Sequence, residues 1–152
     1  LLMNYWLMKT EPDTFSIDDL QRVKKEAWNG VRNYQARNFM RDQMKKGDLV
    51  LIYHSSCKTV GVAGIGIVAS ESYPDETQFK KSSKYYDEKA TQSEPRWYLV
   101  DIAFKEKLSR IITLKEIKES KKLIELQLIK KGNRLSIMPL KEDEFKTILS
   151  LE

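Results

Sequence analysis

Apolar and polar residues alternate through "NYWLMKT", residues 4–10, at the two-residue period of a strand, and Pro12 stops the run. In "FSIDDLQRVKKE" the period lengthens, with Ile17, Leu20 and Val23 falling on one side of a helix. Ser16 is its predicted N-cap, and Asp19, three residues on, completes a capping box. Asn29-Gly30 then signals a turn. Asn33 caps a second predicted helix whose inner face is Ala36, Phe39, Met40 and Met44, and Gly47 ends it.

From Asp48 the period returns to two. "DLVLIYHS" and "TVGVAGIGIVASES" are β-rich, and glycines at 61, 64 and 66 predict bulges or a sharply curved sheet. Residues 73–96 are polar, contain two prolines and form a long excursion of the kind that often carries function. "WYLVDIAFKEKL" resumes the strand pattern, with Trp97, Leu99 and Asp101 on one face and Tyr98, Val100, Ile102 and Phe104 on the other. "TLKEIKES" and "KLIELQLI" follow as short helices, "NRLSIMP" as a closing strand, and "LKEDEFKTILSL" as a terminal helix with Phe145, Ile148 and Leu149 inward. The predicted fold is α+β, a curved and mainly antiparallel barrel with short peripheral helices.

A chain of 152 residues fits one domain, residues 3–152, around a single core, with Leu1 and Leu2 read as an extension before Met3. No apolar run approaches the roughly 20 residues that span a bilayer, so no membrane association is expected. The first residues lack a basic leader and a small-residue cleavage site, which points to a cytoplasmic protein, or a nuclear one in a eukaryote. Cys57 and His54 are single, so neither an internal disulfide nor a metal site is expected, and no cofactor.

The net charge of +5 is unevenly placed. Residues 14–46 carry eight basic and four acidic side chains, residues 105–134 ten and four, and the remaining stretches are slightly acidic. Two basic blocks suit either solvated faces or a surface that follows phosphates. The first block contains "WNGVRNYQARNFMR", residues 28–41, with three arginines, three asparagines, three aromatic rings and no acid. Rings to stack on, amides for base edges and cations for phosphates are what a single-stranded or flipped nucleotide requires.

Enzymatic chemistry has less support. "YHSSC", residues 53–57, contains the residue types of a nucleophile and a base. Neighbours in a strand point to opposite faces, however, so only His54 and Ser56 can meet, and no orienting acid or oxyanion hole is marked. "GVAGIG" lies inside a strand pattern and is not a phosphate or dinucleotide loop.

The blocks "YWLMKTEPDTFSIDDL", "WNGVRNYQARNFMR", "KKGDLVLIYHS", "YPDETQF" and "RLSIMPL", in this order, resemble the EVE domain family of the PUA-like superfamily, of the thymocyte nuclear protein 1 type and its bacterial stand-alone relatives. The likeness runs from about Asn4 to the C-terminus. Thr10 stands in "KTEP" where the family often has serine, which keeps the hydroxyl. The resemblance implies a PUA-like barrel and a non-catalytic reader of DNA or RNA carrying a modified base, such as C5-modified cytosine.

On that reading Trp28 walls an aromatic cage, Asn29 and Asn33 meet the base edge, and Lys9, Arg32, Tyr34 and Arg41 belong to the same surface, Arg32 and Arg41 on phosphates. Tyr53, His54, Ser55, Ser56, Trp97, Arg134 and Ser136 are expected opposite. Arg37, in mid-helix, is expected to be structural. The alternatives are a module that binds a small molecule or a protein in the same cage, and an enzyme acting on a modified nucleobase through His54 or Glu11.

Overall fold

The alternation in residues 4–10 produces the first strand, β1 (Tyr5–Thr10), which lies inside a six-stranded sheet of the computed structural model. The structure describes residues 3–152, so the reading of Leu1 and Leu2 falls outside the described residues. The other strands of this sheet are β2 (Lys25–Ala27), β3 (Leu49–His54), β4 (Gly61–Val68), β7 (Asp101–Thr113) and β8 (Ile137–Leu140), in the order β2-β7-β4-β3-β1-β8. β5 (Tyr73–Pro74) and β6 (Tyr98–Leu99) form a separate pair. β1 and β3 run parallel, with Tyr5 opposite Leu49 and Thr10 opposite His54, while every other pairing is antiparallel.

The sheet curls where its glycines lie. The β4–β7 register shifts between Val62 and Gly64 and again between Ile65 and Gly66. A Cβ on Gly64 would sit 2.4 Å from Ile17 Cδ1 and 2.6 Å from the Glu106 carbonyl oxygen, so the sheet folds onto the first helix there only because that side chain is absent.

Both faces of the curled sheet are covered. Trp6, Met8, Val50 and Ile52 point to one side with Ile17, Leu20, Ala36 and Met40. Leu7, Leu51 and Tyr53 point to the other with Ile117, Leu126, Phe145 and Ile148. The single core expected from chain length is thus two clusters divided by the sheet, as the two-residue period of β1 and β3 requires once helices pack on both faces.

Helix α1 (Ile17–Val23) carries the Ser16–Asp19 capping box, although Val23 keeps 40% of its surface exposed. α2 (Tyr34–Asn38) starts at an Asn33 cap and passes into a π-helical turn, Phe39–Gln43. α3 (Leu114–Glu119) and α4 (Glu142–Ser150) cover the second cluster. Trp97 precedes β6, and Arg134 and Ser136 precede β8, but the Lys9 amide donates to the Ser136 carbonyl at 2.8 Å and draws that approach alongside β1.

Candidate nucleic-acid interface

β1 and β3 end together, because the Ser55 amide donates to the Thr10 carbonyl at 3.0 Å. Beyond that shared end lies a cavity of about 590 Å³, bordered by the end of β1, the approach to β8, the end of β2, residues 28–33 and the tip of the long excursion. Phe15, Ala27, Trp28, Val31 and Tyr85 supply its apolar walls.

The excursion is held in place by buried polar residues. Gln78, fully buried, donates through Nε2 to the carbonyls of Asp75 and Trp97, each at 2.8 Å, and accepts at Oε1 from the amides of Arg96 and Trp97. Asp75, 1% exposed, accepts from the Gly30 amide at 2.8 Å, from the amide and hydroxyl of Thr77, and from Arg32. Burial alone would raise the Asp75 carboxyl, but the bonds from Thr77, Gly30 and Arg32 outweigh it and hold it below its usual range. Gly30 takes φ +83°, and a Cβ there would come within 2.6 Å of Tyr85 Cζ. Only glycine lets Tyr85 close over this loop.

The predicted site residues separate into two groups. Lys9, Trp28, Asn29, Arg32, Asn33, Ser55, Arg134 and Ser136 all border the cavity, although Trp28 belongs to the first core cluster, meets Phe15 edge-on and leaves only 8% of its surface exposed. Tyr34, Arg41, Tyr53, His54, Ser56 and Trp97 are not among its lining. Trp97 is 6% exposed, donates its indole N–H to Asp87 at 2.7 Å and is stacked against Tyr34 at 4.7 Å. The Arg37 guanidinium lies 4.7 Å from the Tyr34 ring centroid and 5.8 Å from that of Trp97 and donates to the Arg96 carbonyl at 2.7 Å, the structural role expected of it. The Tyr34 hydroxyl is engaged by Arg96.

Tyr53 is buried in the second core cluster, and burial, with the nearby Cys57 adding to it, pushes its phenol up to about 12. His54 Nε2 accepts the Ile17 amide at 3.1 Å and so serves the first turn of α1. Burial lowers its pKa, Asp18 only partly opposing. Arg41 is exposed and paired with its neighbour Asp42 at 2.8 Å, and Ser56 occupies a positive-φ bend at 54°.

Arg32 borders the cavity but has no donor left for a ligand. Nε and Nη2 reach the Tyr85 carbonyl, Nη1 reaches the Val31 carbonyl and Asp75, and Nη2 also reaches the Thr77 hydroxyl. Those contacts use all five N–H groups of a guanidinium, so Arg32 fastens the two loops and does not take a phosphate in this arrangement. Asn33 spends its Oδ1 on the cap of α2.

The sequence pattern does not single out Tyr85, Phe15 or Glu26, which also border the cavity. Tyr85 lies in the long excursion, whose length is the one signal pointing to it, and nothing in the local pattern separates it from Tyr86. A second depression, lined by Gln35, Gln127, Lys130, Lys131, Asn133 and others, shares Asn33 and Arg134 with the cavity and contains no carboxylate. Among the described residues, no group of three or more His, Cys, Asp or Glu side chains could hold a metal ion, and no helix is long and apolar enough to cross a membrane.

The EVE domain model matches residues 4–151. The chain belongs to the EVE domain family. This EVE domain is 40% identical to human thymocyte nuclear protein 1, across 99% of this chain and 75% of that protein. It superposes on a Pseudomonas syringae protein of known crystal structure with a TM-score of 0.93 at 48% identity, covering 97% of this chain and 98% of that one. It also superposes on human thymocyte nuclear protein 1 in complex with DNA containing 5-methylcytosine, with a TM-score of 0.91 at 40% identity, covering 97% and 96% of the two chains.

Proposed function

We propose that residues 3–152 act as one EVE domain that reads nucleic acid without chemical turnover, holding a modified cytosine, unpaired or swung out of its strand, in the cavity beyond β1 and β3. The reading rests on unspent hydrogen-bonding capacity. Among the described residues, the side chains of Lys9, Glu26, Asn29, Ser55, Arg134 and Ser136 border an aromatic-walled cavity and make no hydrogen bond or ion pair within the protein. Polar groups collected in a cleft without partners are what a site built for a polar ligand presents.

The human relative's complex with 5-methylcytosine DNA favours a nucleobase as that ligand. Trp28 and Tyr85 provide stacking planes, each worth about 1–3 kcal/mol per base. Phe15, Ala27 and Val31 provide an apolar wall for a C5 substituent, and burying one methyl contributes about 0.8 kcal/mol, so discrimination between modified and unmodified cytosine is modest. Arg134 and Lys84 at the rim, followed by Lys130 and Lys131 in the adjoining depression, offer a path for phosphates. His54, neutral and committed to α1, is poorly suited to acid–base work.

Fluorescence titration of matched oligonucleotides, with and without one 5-methylcytosine, at two salt concentrations tests the reading. Tighter binding of the modified strand, weakening with salt, is expected. Affinity independent of salt, or tighter binding of the free base than of the strand, would favour a small-molecule site.

A further inference from the structure

β2 does not end its pairing at Ala27, because the Trp28 amide donates to the Val100 carbonyl at 3.1 Å and continues the ladder with β7. Glu26 and Trp28 therefore share one face of an extended run, with Cα atoms roughly 6.5–7 Å apart, and both border the cavity. That offset puts the two side chains on the same side of the run, close enough for one bound base to meet both. Lys9 borders the same cavity from β1.

Glu26 and Lys9 carry opposite charges in one cleft but, among the described residues, make no side-chain hydrogen bond or ion pair with each other or with any other group. Both are partly buried, and the Lys9 ammonium lies over the Tyr53 ring, 5.8 Å from its centroid. Burial, with the charge of Asp19 adding to it, pushes the Glu26 carboxyl above its ordinary value, and burial pushes the Lys9 ammonium below its own. Glu11, the other carboxylate of the lining, is exposed at the rim.

We propose that Glu26 selects a base bearing an exocyclic amine, so that the cavity takes 5-methylcytosine and rejects thymine, with Lys9 as the complementary donor. The proposal rests on reading the cavity as a base pocket. Thymine and 5-methylcytosine share the pyrimidine ring and its C5 methyl, so neither the stacking planes nor an apolar wall can separate them. Their edges differ. Cytosine presents an N4 amine, which a carboxylate accepts, followed by the N3 and O2 acceptors, which suit an ammonium. Thymine turns its O4 toward the same carboxylate, and two acceptors then face each other in a partly desolvated site with neither satisfied.

The test is the Kd of the wild type and of Glu26→Gln for single-stranded oligonucleotides that differ at one central position, carrying 5-methylcytosine, thymine or an abasic residue. The wild type is expected to prefer 5-methylcytosine over thymine by about ten-fold or more. Glu26→Gln should bring the two within about three-fold, because the amide can donate to O4, and the salt dependence should stay unchanged. Should the glutamine variant not fold, Glu26→Asp keeps the charge but withdraws it by one methylene. That variant should weaken 5-methylcytosine binding and still reject thymine. Full retention of the wild-type preference in the glutamine variant, or unchanged 5-methylcytosine affinity in the aspartate variant, overturns the proposal. A wild type that binds both bases equally, and more tightly than the abasic strand, overturns it while leaving the base pocket standing. A wild type that binds the abasic strand as tightly as the methylated one removes the pocket and the proposal together.

Discussion

The guanidinium of Arg32 meets the buried carboxylate of Asp75 at 3.1 Å, and the pair fastens the loop that follows Trp28 to the excursion that carries Tyr85. Removing one partner of a buried pair leaves the other uncompensated. Arg32→Ala should therefore cost about 3 kcal/mol of stability, the low end for such pairs because the arginine keeps some contact with water. Urea denaturation measures this cost. The salt dependence of oligonucleotide binding, measured on the folded variant, should not lose the increment of one phosphate contact.

Tyr85 and Trp97 should behave in opposite ways. Tyr85→Ala removes a wall of the cavity and should weaken binding of a modified strand by about 1–3 kcal/mol with a smaller effect on the melting temperature. Trp97→Ala removes a buried ring stacked on Tyr34 and should cost about 3–5 kcal/mol of stability. Parallel melting and binding curves for the two variants check the assignment.

Phosphate contact should follow the basic path beyond the cavity. Arg134→Ala and Lys131→Ala should each flatten the logarithmic salt dependence of the binding constant by about 0.7–0.9, for modified and unmodified strands alike. Arg41→Ala, which releases an exposed pair with Asp42, should leave it unchanged. Titrations at several salt concentrations supply the slopes.

His54 ties pH to stability. Its pKa lies below 6.5 in the folded chain because burial disfavours the imidazolium. As pH falls, the unfolded chain takes up this proton first, so the His54 contribution is constant above about pH 6.5 and turns unfavourable below it, down through the depressed folded value. Thermal melts between about pH 7.5 and 5 should show wild type losing stability relative to His54→Gln, whose amide oxygen can still accept the Ile17 amide.

These contrasts mark where the sequence is readable. The Ser16–Asp19 box, the Asn33 cap and the curvature near Gly64 and Gly66 depend on residues a few positions apart, and local pattern exposes them. The role of an arginine or a ring depends on distant partners. Arg32 looks like a phosphate ligand until Asp75, 43 residues away, takes its guanidinium. Trp97 looks like a cage wall until Asp87 and Tyr34 enclose it. His54 is taken out of solvent by an amide 37 positions earlier. Basic composition marks a stretch of chain, but it does not say which of its cations remain free of partners within the protein.

The most direct measurement is the NMR shift of a ¹³C-labelled C5 methyl in an oligonucleotide titrated with the protein. A base held between Trp28 and Tyr85 places that methyl in the field of aromatic rings, so its resonance should move with saturation and return toward its free value in Trp28→Ala and Tyr85→Ala. A methyl resonance that stays at its free position while the strand is fully bound would contradict a base pocket between these rings.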